Sequence, residues 1–130
     1  PTPRASASHC AGLGASEELV VVSHDDGDDP VFNYATRAAL DLWEMSWETF
    51  TRTPSRESAE PVERAERERL LERVARDGYV DDYCGVRVSA TGRRFEIRDA
   101  YVWNVYDDGG ARVGQAALFR RSDVAFLSSE

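Results

Sequence analysis

The sequence has few of the residues that cross-link a chain or anchor it in a membrane. It contains two cysteines, Cys10 and Cys84, among 130 residues. Two cysteines cannot build a disulfide framework, so we expect an intracellular, reducing compartment, with the cytoplasm as the simplest case and an organelle as the alternative. No apolar run approaches the ~20 residues that a membrane helix needs. The sequence therefore predicts neither a disulfide-rich nor a membrane-spanning chain.

Basic residues are scarce relative to acidic ones. The chain has 16 Lys and Arg against 24 Asp and Glu, which gives a formal net charge of −8. Nucleic-acid binding depends on Lys and Arg that neutralise phosphates, and anionic membrane surfaces attract basic segments. We therefore expect neither a nucleic-acid partner nor a membrane partner. With 42% apolar residues, a chain of this length can form one domain with its own core.

The motifs of common catalytic and metal chemistry are also missing. None of CxxC, HExxH, GxxxxGK or GxSxG occurs in the sequence. His24 with Asp25 or Glu96 is the one pairing that suggests proton transfer, and no nucleophile stands beside a base. The turn 24–30 (HDDGDDP) lacks the alternating acids and the distal Glu of a calcium loop. We therefore expect no enzyme and no metal site.

Short strands and helices follow one another along the chain. The predicted elements are strands at 18–23 and 31–34, helices at 36–45, 46–50 and 61–77, and three strands between 79 and 121. Asn33 or Thr36 could cap the first helix, and Ser46 is placed to cap the second. Pro61 and Gly78 suit the two ends of the long helix. This order predicts an α+β fold, a five-stranded antiparallel sheet with helices packed on one face.

The long predicted helix has one apolar stripe and several charged faces. The stripe consists of Val62, Ala65, Leu70 and Val74. The pairs Glu63–Arg67 and Glu72–Arg76 are four residues apart, as in ion pairs on a solvated helix surface. We therefore expect both arginines to be exposed.

Alternation along residues 95–106 predicts which side chains face the core. One parity is large and apolar and is expected to face the helices: Phe95, Ile97, Tyr101, Trp103 and Val105. The other parity starts with Glu96 and Arg98 and becomes partly apolar toward Val102 and Tyr106. A wholly solvated face usually stays polar. Val102 and Tyr106 are therefore predicted to lie on the outer face, in a dimer contact or against the N-terminal arm.

Several stretches resemble PAS-type domains. Residues 31–35 (VFNYA), Ala39-Leu40 and residues 46–50 (SWETF) are similar to the PAS pattern of a strand, Asn-x-Ala, a helix and a capped turn. Residues 20–50 resemble members of the MEKHLA family, a PAS-like group. Residues 78–105 (GYVDDYCGVRVSATGRRFEIRDAYVWNV), with Gly114 beyond them, resemble another segment of that family. The similarity extends over about residues 18–119.

The resemblance implies a non-catalytic sensory or regulatory module that mediates protein interaction or dimerisation. Such a fold also holds a small ligand, where it binds one, in the cavity between sheet and helices. The alternatives are a haem- or other cofactor-binding sensor, and a small enzyme on a similar sheet. We expect a domain at 17–122 between a flexible arm, the small polar residues 1–16, and a C-terminal tail at 123–130.

Residues able to contact a cavity ligand are few. The candidates are His24, Asn33, Trp43, Arg98, Trp103 and Asn104. The acids beside His24 are expected to raise its pKa. The flavin-photoadduct PAS domains carry Asn-Cys-Arg-Phe-Leu-Gln after the capped turn, whereas residues 53–61 contain no cysteine, and the long helix has no histidine for haem. We expect no photoadduct and no haem, leave the cofactor unknown, and expect Cys84 to be a buried, inert thiol.

Overall fold

The computed structural model describes residues 18–60 and 63–127, which form one antiparallel sheet with helices on one face. The strands are β1 Leu19–Asp25, β2 Phe32–Ala35, β3 Tyr79–Val88, β4 Arg94–Tyr106, β5 Arg112–Arg120 and β6 Val124–Phe126. The helices are α1 Arg37–Trp43, α2 Trp47–Phe50 and α3 Arg64–Asp77, with 3-10 turns at Ser55–Ser58 and Arg121–Asp123. No helix within the described ranges is long and apolar enough to cross a membrane. The α+β class is as predicted.

The sheet contains one strand more than predicted. Its order is β2-β1-β5-β4-β3, and every neighbouring pair is antiparallel. β6 pairs with the first part of β4, where Phe126 lies opposite Phe95. This sixth strand lies within residues 123–130, the segment expected to be a tail. The predicted arm at 1–16 lies outside the described residues, and the division into arm, domain and tail otherwise stays a prediction.

Thr36, and not Asn33, caps the first helix. Thr36 Oγ1 accepts hydrogen bonds from the backbone N–H of Ala39 at 3.4 Å and of Val21 at 3.1 Å, and it donates to the carbonyl of Leu19 at 3.0 Å. Asn33 is exposed, and its side-chain oxygen accepts from a β1 hydroxyl at 2.5 Å. The buried threonine therefore both starts α1 and holds it against β1.

The ends of α2 and α3 agree with the sequence. Ser46 Oγ accepts from the backbone N–H of Thr49 at 3.2 Å, which caps α2. Gly78 ends α3 with φ 95°, and its N–H donates to the carbonyl of Val74 at 2.8 Å. Glycine adopts this positive φ without steric cost, which is why it suits this position. Pro61 lies outside the described residues.

Aromatic rings fill the space between the sheet and the first two helices. Phe32 and Phe50 stack with ring centres 4.2 Å apart. Trp43 meets Phe95 edge-on at 5.2 Å and Phe119 at 6.4 Å. All five side chains are buried. These contacts fix α1 and α2 on the sheet.

A bulge in β4 reverses which side chains of its second half face the core. Asp99 has φ 53°, and the pairing of β4 with β3 shifts register on both sides of Tyr83. Before the bulge, Phe95 and Ile97 are buried as predicted. After it, the buried side chains are Ala100, Val102 and Asn104. The outer face of β4 instead receives Tyr101, Trp103 and Val105. The predicted outer position of Val102 is wrong because one extra residue inverts the alternation.

Candidate functional site

A cavity lies between the sheet, α3 and the 3-10 turn at Ser55–Ser58. The cavity has a volume of about 70 Å³. This space exceeds the ~10–15 Å³ that a single water needs, so the cavity can hold water or a small ligand group. Most of its wall is apolar and includes Val22, Phe32, Trp43, Leu70, Ile97 and Phe119.

Two arginines and two serines give the cavity a polar side. Arg67 from α3 is 2% exposed, and Arg87 from β3 is 7% exposed. Ser55 and Ser58 are buried beside them in the cavity wall. Arg67 Nε donates to Ser55 Oγ at 3.3 Å, and its Nη1 donates to Glu68 at 2.6 Å. Charged groups are thus enclosed in a space that is otherwise apolar.

Arg67 does not lie where the sequence analysis placed it. It was expected to be exposed and paired with Glu63, but it is buried and paired with Glu68, whose side chain is largely exposed. Arg67 lies three residues before Leu70 and seven before Val74, so it continues the buried stripe of α3. That spacing is the signal that could have identified it from the sequence.

The charge of Arg67 is incompletely balanced. Desolvation by burial lowers its pKa; the Glu68 carboxylate opposes this shift, and the Arg87 charge adds to it. Its Nη2 is buried and has no hydrogen-bond partner within residues 18–60 and 63–127. Buried polar atoms in proteins nearly always have a partner. This unpaired donor belongs to a side chain that lines the cavity.

Arg87 contacts an aromatic ring, a backbone carbonyl and a carboxylate. Its guanidinium carbon lies 5.6 Å from the ring centre of Tyr83, and its Nη1 donates to the carbonyl of Val86 at 2.8 Å. Nη1 is also 3.9 Å from a carboxylate oxygen of Glu66, which accepts the Tyr83 hydroxyl at 2.8 Å. Burial raises the pKa of Tyr83 to about 12, so this hydroxyl keeps its proton at neutral pH. The Glu66 carboxylate is therefore shared between two partners.

His24 lies where the cavity meets an open cleft on the surface. Both spaces are lined by His24, Arg67, Leu71 and Gln115. The ring Nδ1 of His24 is 2.7 Å from the carbonyl of Asp25. Desolvation by burial lowers the pKa of His24 and outweighs the neighbouring acids. The predicted rise is therefore wrong, and the ring is neutral at pH 7.

Two strand side chains tie α3 to the sheet beside the cavity. Asn104 Nδ2 donates to the carbonyl of Val74 at 3.0 Å. Gln115 Nε2 donates to the carbonyl of Leu71 at 3.1 Å and to Asn104 Oδ1 at 3.1 Å. Both side chains are buried, and Gln115 also lines the cavity. This network holds the helix that carries Arg67.

The outer face of the sheet carries an apolar patch without charged residues. Tyr79 lies opposite Trp103, and Tyr101 lies opposite Leu118. Tyr79 and Tyr101 are each 41% exposed. We call the following residues the outer patch: Val21, Tyr79, Tyr101, Trp103, Val105 and Leu118.

A family model described as the MEKHLA domain matches residues 9–124 of the chain. The chain belongs to the MEKHLA domain family. This confirms the family suggested by the sequence resemblance. No curated protein matches the chain significantly.

Solved PAS and LOV domains share the fold of this MEKHLA domain. The PAS domain of a protein from Colwellia psychrerythraea superposes with a TM-score of 0.70 at 11% identity, covering 95% of this chain and 97% of that one. An RNA-binding light-oxygen-voltage receptor gives 0.70 at 15% identity, over 91% of this chain and 35% of that one. The dark structure of the blue-light photoreceptor Aureochrome1 LOV gives 0.62 at 17% identity, over 99% and 88%. Identities this low show the PAS-like fold alone.

The MEKHLA domain brings two of the six predicted ligand residues to the cavity. His24 and Trp43 line it, and Trp43 Nε1 is buried without a partner in the described part of the chain. Asn104 is buried but anchors α3. The other three are not among the lining residues: Asn33, Arg98 and Trp103. Arg98 is exposed and pairs with Glu96 at 2.5 Å, and Trp103 lies on the outer patch because of the bulge.

Of the two predicted interface residues, one is exposed. Tyr106 is 56% exposed, whereas Val102 is 4% exposed and lines the cavity. Tyr106 also accepts a hydrogen bond from Asn104 Nδ2 at 3.3 Å through its hydroxyl. Val102 is therefore a cavity and core residue.

His24 does not pair with either carboxylate suggested by the sequence. The Asp25 carboxylate accepts the backbone N–H groups of Gly27 and Val31, both at 3.2 Å. Glu96 lies between two buried residues of β4 and faces the side of the sheet opposite the cavity. Among residues 18–60 and 63–127, no group of three or more His, Cys, Asp or Glu could hold a metal ion. The geometry thus supports neither of the two pairings that the sequence suggested for His24.

Cys84 is exposed, so the expectation of a buried thiol is wrong. Its Sγ lies 3.9 Å from the carbonyl of Asp82. Tyr83 takes the inward position of this part of β3 and lines the cavity. A flavin photoadduct needs a cysteine beside the bound ring, and Cys84 does not line the cavity. Cys10 lies outside the described residues.

Proposed function

We propose that this MEKHLA domain is a non-catalytic sensory module that binds a small ligand in the cavity between its sheet and α3. The observation that carries the proposal is the cavity, which combines an apolar wall with buried polar groups from α3, β3 and the 3-10 turn. Ligand sites in proteins combine these two features. A packed core otherwise fills such space with side chains.

A neutral probe tests whether the cavity accepts a ligand. Fluorobenzene should bind the wild type, detected as a fluorine NMR shift. The substitution Ala117→Leu should abolish that binding, because Ala117 lines the cavity and lies on β5 between Val22 and Val102. Ala111→Leu is the matched control, since Ala111 is exposed in a turn. Absence of binding to the wild type, or equal binding to the Ala117→Leu variant, would contradict the proposal.

The state of the purified chain tests the alternatives. An absorption spectrum with a native mass reports bound haem, flavin or another small molecule. A haem or flavin absorption band that accompanies the folded chain would favour the cofactor-binding alternative. The other outcome is a purified chain that has the mass of the protein alone and binds fluorobenzene when it is added. That result supports a cavity that binds its ligand reversibly.

A second proposed role is self-association through the outer patch. The chain carries a net charge of −8, so two copies repel each other over most of their surfaces. The outer patch has no charged residue and offers exposed rings at its centre. A contact between two copies of this patch is therefore the approach that brings the fewest like charges together. The same surface on both copies would form a two-fold dimer.

Sedimentation velocity over a range of protein concentrations tests this role. Tyr101→Glu should shift the chain toward monomer, because it places a charge at the centre of the contact. Trp47→Glu is the matched control, since Trp47 is 43% exposed on α2, away from the patch. A wild type that stays monomeric at high micromolar concentration would refute self-association.

A further inference from the structure

We propose that the cavity binds a small organic carboxylate with an apolar or aromatic body, and that Arg67 holds the carboxylate. This inference rests on the proposed function of the cavity and adds the chemical class of its ligand. Three features carry it: a buried guanidinium nitrogen without a partner, an excess of positive charge at the cavity, and an apolar opposite wall.

The first feature is the vacant side of Arg67. Its Nε and Nη1 are bonded to Ser55 and Glu68, whereas its Nη2 is buried without a partner in the described ranges. A guanidinium presents planar N–H groups that match a carboxylate, and such charge-assisted bonds are about twice as strong as neutral ones. A carboxylate oxygen supplies the missing acceptor and a negative charge together.

The second feature is the charge balance around the cavity. Arg67 and Arg87 are both buried, and the Arg87 charge disfavours the charged form of Arg67. The acids that oppose them are Glu66, which is shared with a tyrosine hydroxyl, Glu68, which is largely exposed, and Asp29, which is paired with a surface arginine. Enclosing charge without full compensation is unfavourable. An anion in the cavity compensates it, whereas a neutral ligand does not.

The third feature is the rest of the wall and its opening. Phe32, Trp43 and Ile97 line the cavity with apolar surface, which suits a hydrocarbon body. Trp43 Nε1 is a second buried donor without a partner in the described part of the chain. Arg67 lines both the cavity and the surface cleft, so the carboxylate site adjoins the route from solvent.

The acids of the surface cleft are partly neutralised. Asp29 is 3.0 Å from Arg56, and Asp26 is 2.9 Å from Arg112. His24, at the boundary with the cavity, is neutral at pH 7 because burial lowers its pKa. Asp28 and Glu72 line the cleft as well, so its entrance keeps a net negative charge. The attraction for an anion therefore arises at the guanidinium of Arg67, behind the entrance.

Matched anionic and neutral probes test the ligand class. Benzoate and benzamide have nearly the same shape and differ in charge, and isobutyrate with isobutyramide repeats the comparison without a ring. At pH 7 and constant ionic strength, we expect the carboxylate to bind at least about ten-fold more tightly than its amide, a difference of about 1.4 kcal/mol. Titration followed by the backbone N–H signals of the protein in NMR gives both affinities. The carboxylate probe should also raise the melting temperature more than the matching neutral probe does.

Substitutions locate the carboxylate on Arg67. Arg67→Met should lower the affinity for benzoate to that for benzamide. Arg67→Lys should keep part of the preference for benzoate over benzamide, because lysine keeps the positive charge. Arg69→Met is the matched control, since Arg69 is an exposed arginine on the same helix. The unliganded Arg67→Met protein should fold, because the carboxylate that loses its partner, Glu68, is largely exposed and stays hydrated.

The outcomes separate this inference from the function it rests on. Equal binding of benzoate and benzamide to the wild type overturns the carboxylate assignment, and so does a preference that survives in Arg67→Met. Fluorobenzene binding without carboxylate binding also overturns it, while leaving the cavity as a ligand site. Failure of all the probes, fluorobenzene included, overturns both. The wild-type comparison decides the ligand class even where Arg67→Met does not fold.

Discussion

Asn104 provides a sharp test of the inverted second half of β4. It was a candidate contact for a cavity ligand, although unbroken alternation along the strand would place its side chain on the outer face. In the structure it is 4% exposed and bonded to α3. Asn104→Ala should therefore destabilise the fold strongly, as expected for a buried polar anchor and not for a surface residue.

The size of the effect follows from the bonds that are lost. The Asn104 amide donates to Val74 at 3.0 Å and to the Tyr106 hydroxyl at 3.3 Å, and it accepts from Gln115 at 3.1 Å. One such bond contributes about 0.5–1.5 kcal/mol, and partners left buried without a bond add to the loss. We expect a decrease of about 2–4 kcal/mol in the free energy of unfolding. For a chain of 130 residues, this corresponds to a fall of about 7–15 °C in melting temperature.

Urea titration followed by circular dichroism measures this loss. Asn33→Ala is the matched control, because Asn33 is an exposed asparagine with a bond at the surface, and its removal should change stability by less than about 0.5 kcal/mol. Gln115→Ala combined with Asn104→Ala should cost less than the sum of the two single changes, because they share a bond. A loss below about 1 kcal/mol for Asn104→Ala, or one equal to that of Asn33→Ala, would refute the assigned anchoring role.

Three further expectations concern other parts of the fold. Val102→Glu should destabilise the fold by about 4 kcal/mol or more because Val102 is buried. At protein concentrations where the wild type is monomeric, Tyr101→Glu should leave the melting temperature nearly unchanged. Equal losses in thermal melts would contradict the bulge. Thr36→Ala should lose about 2–3 kcal/mol in urea titration, because the cap and two further hydrogen bonds disappear, and Thr36→Ser should restore most of it. Folding lowers the pKa of His24, so the neutral ring supports the folded state above pH 6.5, the ordinary pKa of histidine, and stability is lost as the pH falls below that value. His24→Gln should remove this loss of stability at acidic pH. An unchanged plot of stability against pH would show that His24 is not the group responsible.

Local signals in the sequence were sufficient where one residue settles the local geometry. Ser46 caps α2 and Gly78 ends α3, as expected from their residue types. The periodicity and the turn residues predicted the order of strands and helices, and the fold class followed from that order. The sixth strand was missed because Val124–Phe126 is short and its pairing partner lies far away along the chain.

The residues of the cavity were harder to predict from the sequence, although the spacing of Arg67 was one usable signal. Arg67 has the spacing of the buried stripe of α3, but its charge and its spacing from Glu63 favoured a surface position. Arg87 is buried as well, while the valines that alternate with it are only half-buried. A charged side chain is usually exposed, so residue type and periodicity gave opposite answers at Arg67. At Arg87 both favoured a surface position, and both were wrong.

Composition by itself determined the acidic balance of this chain. Local patterns determined the order of the helices and of the first five strands, together with the start of α2 and the end of α3, because each of these depends on neighbours within a few residues. Tertiary structure decided which side chains share the cavity. A single bulge at Asp99 moved Val102 and Asn104 inward and turned Trp103 outward. Alternation fixes a strand's faces only while its period of two is unbroken, and the break here depends on pairing with β3, a contact that no local pattern records.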